Sequence, residues 1–362
     1  MTAMRPASTP PAALPIADAL WTSADRALEL ARIVEGAREV PVGQTPKELV
    51  WRKNKARLYR YTRTTPATRR TPVFLCLPLI NRAYILDLRP GASFVEHLLA
   101  EGHEVFLLDW GVWGAEDRGI DITALVTRYL PRAIRAAAQT ARRDVTLLGY
   151  CIGGVLAVCY LALQEDAPVR QLVLFTTPVD FADAGKFGMW TAKGVFPIER
   201  IREVYDVVPG ELIGAGAKLL QGPLADVGAL TQLAQRMSQP GFDPVAWQSM
   251  YRWINEGTPF PGAAYQQWII EFYQENKLVR GTLRMDGRPV RLDAIRMPVL
   301  NVAAAADTIA PRPTTSAVLS RVSSTDREEL IVQGGHVGIV VGRAAKRELW
   351  PKVTDWLRHH DG

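Results

Sequence analysis

The feature that most constrains this chain is a strand that turns, without a spacer, into a helix. Val145-Thr146-Leu147-Leu148 reads as a buried strand, and Val155 to Leu163 (VLAVCYLAL) as a buried helix. Between them stands Gly149-Tyr150-Cys151-Ile152-Gly153-Gly154. This is Gly-x-Cys-x-Gly, the pattern of a sharp strand-to-helix turn that holds a nucleophile at its tip, with sulfur in place of the usual hydroxyl. Glycines on either side remove Cβ atoms that would clash across so tight a turn. A helix N-terminus carries partial positive charge, which favours a thiolate over a thiol. The backbone N–H of Ile152 then faces the oxygen of an attacked carbonyl. On the pattern alone, a buried structural cysteine beside a packing Gly-Gly is the competing reading.

The rest of the chain alternates strand and helix on both sides of this turn. Leu20 to Arg38 has helical spacing. Ala56-Arg57-Leu58-Tyr59-Arg60-Tyr61 alternates as an early strand within a basic stretch, residues 51–70. That stretch suits either substrate phosphates or, more plainly, a solvated edge strand. Buried strands follow at Pro72 to Pro78, Glu104 to Trp110 and Gln171 to Thr176, with helices at Ala92 to Ala100 and Asp121 to Ala141. The alternation stops near residue 180 and resumes at Met297 to Ala303 and Glu328 to Val332, with a last helix from Ala344 to His359. The pattern predicts an α/β fold with a mainly parallel sheet flanked by helices and an inserted, mostly helical cap. The predicted boundaries are a loose N-terminus over 1–20, core over 21–180, cap over 181–290 and core again over 291–362.

A cysteine nucleophile needs a base and a group to orient it. Of five histidines, His336 alone sits in a glycine-rich loop directly after a strand, in Gly334-Gly335-His336-Val337-Gly338. Asp307 follows the strand LNVAAAA in the same way. An aspartate before a turn is usually a turn former, and a loop histidine is usually incidental. The chain order Cys151, Asp307, His336, each after a strand, is the order of the α/β-hydrolase fold. A thiolate that attacks a thioester makes another thioester, so the acyl group stays activated for a hydroxyl. His336 can deprotonate Cys151. For the second proton transfer, from the hydroxyl, the sequence leaves His336 and Asp307 both open.

Composition narrows the class. The 362 residues carry 43 Lys+Arg against 37 Asp+Glu, a formal net charge of +6. That mild bias suits a polyanionic small molecule, and no zinc-finger spacing, basic helix or aromatic RNA-binding motif supports nucleic acid. Three cysteines, Cys76, Cys151 and Cys159, are too few and odd in number for a disulfide framework. No stretch has the length of a transmembrane helix, and the start lacks the apolar core of a secretory signal. The expectation is a cytoplasmic enzyme.

At these residues the chain resembles the polyhydroxyalkanoate synthases, catalytic subunit, from about residue 47 to the end. The resemblance is carried by the Gly-x-Cys-x-Gly-Gly box, Pro78 to Leu88 (PLINRAYILDL), Phe106 to Trp110 (FLLDW), Thr177-Pro178-Val179-Asp180-Phe181, Tyr273-Gln274-Glu275-Asn276 and Gly334 to Gly338. It implies an (R)-3-hydroxyacyl-CoA substrate, with polyester and free CoA as products. Cys151 is then the nucleophile that carries the growing chain, with Asp307 and His336 completing the site. It implies an oxyanion hole from the backbone of Ile152 and Ile80, and substrate contacts from Asn81, Tyr84 and Trp253. It implies no cofactor and no metal, since CoA arrives and leaves with the substrate. It also implies association with polyester granules, a homodimer and a second, non-catalytic synthase subunit. The length resembles the compact form that pairs with that subunit, while the elbow and the Ile80-Asn81 loop look more like the longer forms. Thr308 departs from the family, where many relatives carry histidine after this aspartate. The rival readings are a thioesterase or polyester depolymerase on the same triad, and a non-catalytic granule scaffold.

Overall fold

The computed structural model describes residues 15–63, 66–222 and 225–361. Its centre is a sheet of eight strands: β1 (Lys47–Lys53), β2 (Ala56–Tyr61), β3 (Val73–Cys76), β4 (Val105–Asp109), β5 (Val145–Tyr150), β6 (Val169–Phe175), β7 (Val299–Ala304) and β8 (Arg327–Val332). Their spatial order is β1-β2-β4-β3-β5-β6-β7-β8. The pairs β1·β2 and β2·β4 are antiparallel, and all later pairs are parallel. Parallel strands are covered on both faces and so read as unbroken apolar runs. Every residue of β5 is buried, as is every residue of β3 and β7. The strand β5 therefore lies deep in the sheet, between β3 and β6, and the turn that leaves it is held on all sides.

The α-helices of six residues or more among the described residues, in chain order, are α1 (Pro15–Gly36), α2 (Phe94–Ala100), α3 (Leu130–Ala141), α4 (Ile152–Leu163), α5 (Gly185–Trp190), α6 (Ile198–Val204), α7 (Gly210–Gln221), α8 (Ala225–Met237), α9 (Pro244–Asn255), α10 (Gly262–Gln267) and α11 (Trp350–His359). Ser93 starts α2 by accepting a hydrogen bond from the Glu96 N–H at 3.0 Å. Helix α4 is apolar all round because it is buried all round.

Two expected helices are less regular than their periodicity predicts. The helix expected from Asp121 to Ala141 starts as Ile122–Ala124, widens to a π-helical turn over Leu125–Tyr129 and only then becomes α3. The helix expected from Ala344 to His359 widens over Ala345–Leu349 before α11. In both, a proline (Pro131, Pro351) opens the regular helix. Proline has no N–H and crowds the carbonyl one turn back, and a wider turn relieves both. The basic stretch also resolves differently. The edge strand is β1, and β2 is enclosed by β1 and β4. Arg60 pairs with Glu104 at 2.7 Å and Lys55 with Glu116 at 2.6 Å, the behaviour of a solvated, ion-paired surface.

The chain forms two compact units. The larger comprises Pro41–Ala225 and Trp253–Gly362 and contains the whole sheet. The smaller joins the segment ending at Val40 with Asp226–Arg252. Within it, the Gln248 amide donates to the Ile33 carbonyl at 2.9 Å, and the Arg252 guanidinium to the Val40 carbonyl at 2.8 Å. The expected cap over 181–290 is therefore not one body: its middle groups with α1. Of the expected loose segment 1–20, residues 1–14 lie outside the described residues, and Pro15 to Leu20 belong to α1.

Candidate active site

Cys151 sits at the junction of β5 and α4 with φ 53° and ψ −123°, a backbone conformation that side-chain-bearing residues rarely adopt. Neighbours fix it there. Its N–H donates to the Phe175 carbonyl at 2.9 Å, and its carbonyl accepts from the N–H of Gly154 at 2.9 Å. The glycines answer to close approach. A Cβ at Gly149 would lie 2.4 Å from Gly154 Cα, and one at Gly153 would lie 2.1 Å from the Cys76 carbonyl oxygen. Cys151 is partly exposed, whereas Cys76 and Cys159 are fully buried, and burial pushes both buried thiols far up. Ile152 is the first residue of α4, so its N–H has no intrahelical acceptor.

Strands β7 and β8 pair in parallel, so the loops that follow them leave the same end of the sheet. Those loops bring Asp307 and His336 together: Nδ1 of His336 lies 2.7 Å from Oδ2 of Asp307. Oδ1 of Asp307 accepts from the N–H groups of Ile309 at 2.8 Å and Ala310 at 2.9 Å. The Asp307 side chain has no exposed surface. With Nδ1 committed to Asp307, the other ring nitrogen is left for Cys151, which lines the same cavity. Burial disfavours a charged imidazole here, but the charge of a Cys151 thiolate and the Asp307 carboxylate outweigh it. The His336 pKa is raised to about 10.

The cysteine opens into a cavity of about 190 Å³. Of the other expected residues, Ile80, Asn81, Ile152 and Trp253 line it. Trp253 is also a buried core aromatic whose indole N–H donates to the Arg82 carbonyl at 2.9 Å. Tyr84 is not among the residues that line the cavity. It lies in the single turn Ala83–Leu86, which buries Ile85 and Leu86, and its hydroxyl donates to Glu256 Oε2 at 2.6 Å.

Tyr150 was not singled out from sequence. Its hydroxyl donates to the His336 carbonyl at 3.3 Å, and its ring lies 5.5 Å from the imidazole, tilted by 30°. Tyr273, Phe187 and the inner face of α7 also line the cavity unannounced. For α7 a signal existed: Gly210, Gly214 and Ala217 share one face at helical spacing. The Tyr273-Gln274-Glu275-Asn276 segment works as a latch. Asn276 accepts from the Phe181 N–H at 3.0 Å and donates to Asp180 at 2.8 Å, joining two of the segments that carried the resemblance. Among the described residues no cluster of three or more His, Cys, Asp or Glu is placed to hold a metal ion. No helix among them is long and apolar enough to cross a membrane.

Known proteins of similar sequence give this geometry its family. Residues 35–98 match the model described as the poly-beta-hydroxybutyrate polymerase (PhaC) N-terminus, and residues 248–361 the model described as the PHB de-polymerase C-terminus. The chain is 32% identical over 326 residues to the poly(3-hydroxyalkanoate) polymerase subunit PhaC of Allochromatium vinosum, covering 89% of this chain and 90% of that one. It belongs to the poly(3-hydroxyalkanoate) polymerase subunit PhaC family. The PhaC subunit of Haloferax mediterranei is also 32% identical, over 92% of this chain and 68% of its own length. Among solved structures, a carboxyl esterase from Bacillus coagulans superposes with a TM-score of 0.54 at 15% identity, covering 88% of this chain and 99% of that one. That likeness is one of fold: this is an α/β-hydrolase architecture, as the order of the three site residues predicted.

Proposed function

We infer that this PhaC-family chain polymerises (R)-3-hydroxyacyl groups from their CoA thioesters into polyhydroxyalkanoate, releasing CoA. One observation carries the reading: a Cys151–His336–Asp307 constellation on a nucleophile elbow, in a chain aligned to polymerase subunits along nearly its whole length. In the proposed acylation, the Cys151 thiolate attacks the thioester carbonyl. The new oxyanion faces the N–H of Ile152 and of Ile80. The C–S bond to CoA breaks, and the departing thiolate takes the proton from the His336 imidazolium. A proton held on His336 by the thiolate is thus supplied when the leaving group needs it.

Acylation then resets the base. An acylated Cys151 carries no charge, so the first of the influences that raise the His336 pKa disappears. The neutral imidazole accepts the proton of the incoming hydroxyl, the alkoxide oxygen attacks the acyl thioester, and an ester bond replaces the C–S bond. The proposed assignment gives His336 this second proton transfer and Asp307 an orienting role. It is supported by Asp307's full commitment, with one oxygen on two backbone N–H groups and the other on His336. Apolar walls from Phe187, Ile213 and Trp268 favour hydroxyl attack over hydrolysis by keeping bulk water out. In this reading CoA enters and leaves with the substrate and no cofactor is required. Asn81 and Trp253, both on the cavity wall, are the candidate substrate contacts.

The same reading places the enzyme at the surface of its polyester product, as a homodimer with a second, non-catalytic synthase subunit. Outward apolar side chains on the helices after residue 180, including Met189, Val204, Leu212 and Leu219, are compatible with such contacts. Sedimentation of purified chain, alone and with granules, tests this. A hydrolase is the second reading, favoured by the de-polymerase description of the model matched at 248–361. Purified protein with (R)-3-hydroxybutyryl-CoA separates the two. CoA release with insoluble polyester supports the polymerase, and CoA release with only free 3-hydroxy acid supports the hydrolase.

A further inference from the structure

One wall of the cavity is a single face of α7, carrying Gly210, Ile213, Gly214, Ala217, Lys218 and Leu220. Leu212 and Leu219, off that face, are exposed. Residues four and seven apart on a helix share a face, so Gly214 stands between Gly210 and Ala217 on the cavity side. The two glycines differ in what lies in front of them. A Cβ at Gly210 would come within 2.5 Å of the Gly257 carbonyl, so the wall there is closed by backbone. A Cβ at Gly214 would meet no atom within 4 Å. At that point the wall is bare, and the space in front of it is the cavity that Cys151 and His336 line. Phe187, Trp268 and Tyr273 face the same space. Such walls receive hydrocarbon in preference to phosphate or nucleotide, whose polar groups would lose water without replacement. Glycine inside a helix is destabilising relative to alanine, so a bare position here is held against helix stability.

We propose that Gly214 sets the length of acyl side chain that the site accepts, the hydrocarbon beyond C3 of the hydroxyacyl group lying against the bare face of α7. The identity of the acyl donor rests on the polymerase reading; the shape of the cavity does not. The test compares Gly214→Leu with Gly216→Leu. Gly216 lies on the same helix but off the cavity face, and a Cβ there also meets nothing within 4 Å. Both substitutions replace a helix-weakening glycine, so folding is not the variable. The probes are propyl and octyl methanethiosulfonate. Each transfers its alkyl-thio group to the Cys151 thiolate as a mixed disulfide and releases methanesulfinate, and the product is read by mass on the peptide containing Cys151. Gly214→Leu lowers the octyl-to-propyl rate ratio about tenfold or more, the discrimination that a few methylenes command in an apolar pocket. Gly216→Leu leaves the ratio at the parental value. An unchanged ratio in Gly214→Leu, or an equal fall in both variants, overturns the proposal. Parallel assays with 3-hydroxybutyryl-CoA and 3-hydroxyoctanoyl-CoA show the same ordering if the polymerase reading holds. Free acid as the sole product overturns that reading, while the labelling ratio still tests the role of Gly214 by itself.

Discussion

His336 is asked to do two opposite things in one turnover, and its surroundings make that possible. Its ring stays charged while Cys151 is a thiolate and loses much of that support once the sulfur is acylated. The folded pKa lies above the ordinary imidazole value of about 6.5. Stability from the charged ring is therefore full below about pH 6.5 and lost as pH rises through about 10. Denaturant midpoints of the parent should fall relative to those of His336→Gln between pH 7 and pH 10. Parallel curves would contradict the assignment. Asp307→Asn should keep the fold and lower kcat by about 10³- to 10⁴-fold, since the amide favours the wrong ring tautomer; steady-state CoA release measures this. The triad residues were legible in sequence because each follows a strand inside its own short glycine or turn signal. Tyr150 was not, because its partner His336 is 186 positions away and nothing local marks the contact. The contact of Tyr84 with Glu256 was not legible for the same reason, since the two lie 172 positions apart.

At the scale of elements, the elbow is a packing problem before it is a catalytic one. Gly149→Ala would put its methyl 2.4 Å from Gly154 Cα, backbone that cannot swing aside. The cost should be about 1–3 kcal/mol or more, read as a lower denaturant midpoint at unchanged slope. An unaffected midpoint would mean that the turn is slack. The cavity wall makes a different prediction. Shortening it with Ile213→Ala should raise the share of free 3-hydroxy acid among products, because water then reaches the acyl-enzyme more readily. An unchanged share would count against the wall as a water barrier. The buried parallel strands were plain in the sequence as apolar runs. The edge strand β1 was not, because Lys47 to Lys53 has charged residues at both ends, an exposed Leu49 between them and no fully buried position, so neither an apolar run nor an alternation marks it. The widened turns before Pro131 and Pro351 were missed because periodicity marks a helical face but not a local change in winding.

At the scale of the whole molecule, the alternation of strand and helix and its interruption near residue 180 were enough to anticipate the sheet and the site at its carboxyl end. The grouping of the inserted stretch was not. Gln248 meets the Ile33 carbonyl across 215 positions, and no local signal in either helix announces that pairing. Family membership supplies the substrate class that geometry alone leaves open, since an α/β-hydrolase fold with a cysteine triad serves hydrolysis as readily as acyl transfer. What separates the two is the fate of the acyl group on Cys151. The most direct measurement is therefore intact-protein mass spectrometry after brief exposure to (R)-3-hydroxybutyryl-CoA. One or more 3-hydroxybutyryl units should be bound at Cys151, growing with time in the parent and absent from Cys151→Ala. Sustained polyester formation with no adduct on Cys151, or by Cys151→Ala itself, would contradict the account.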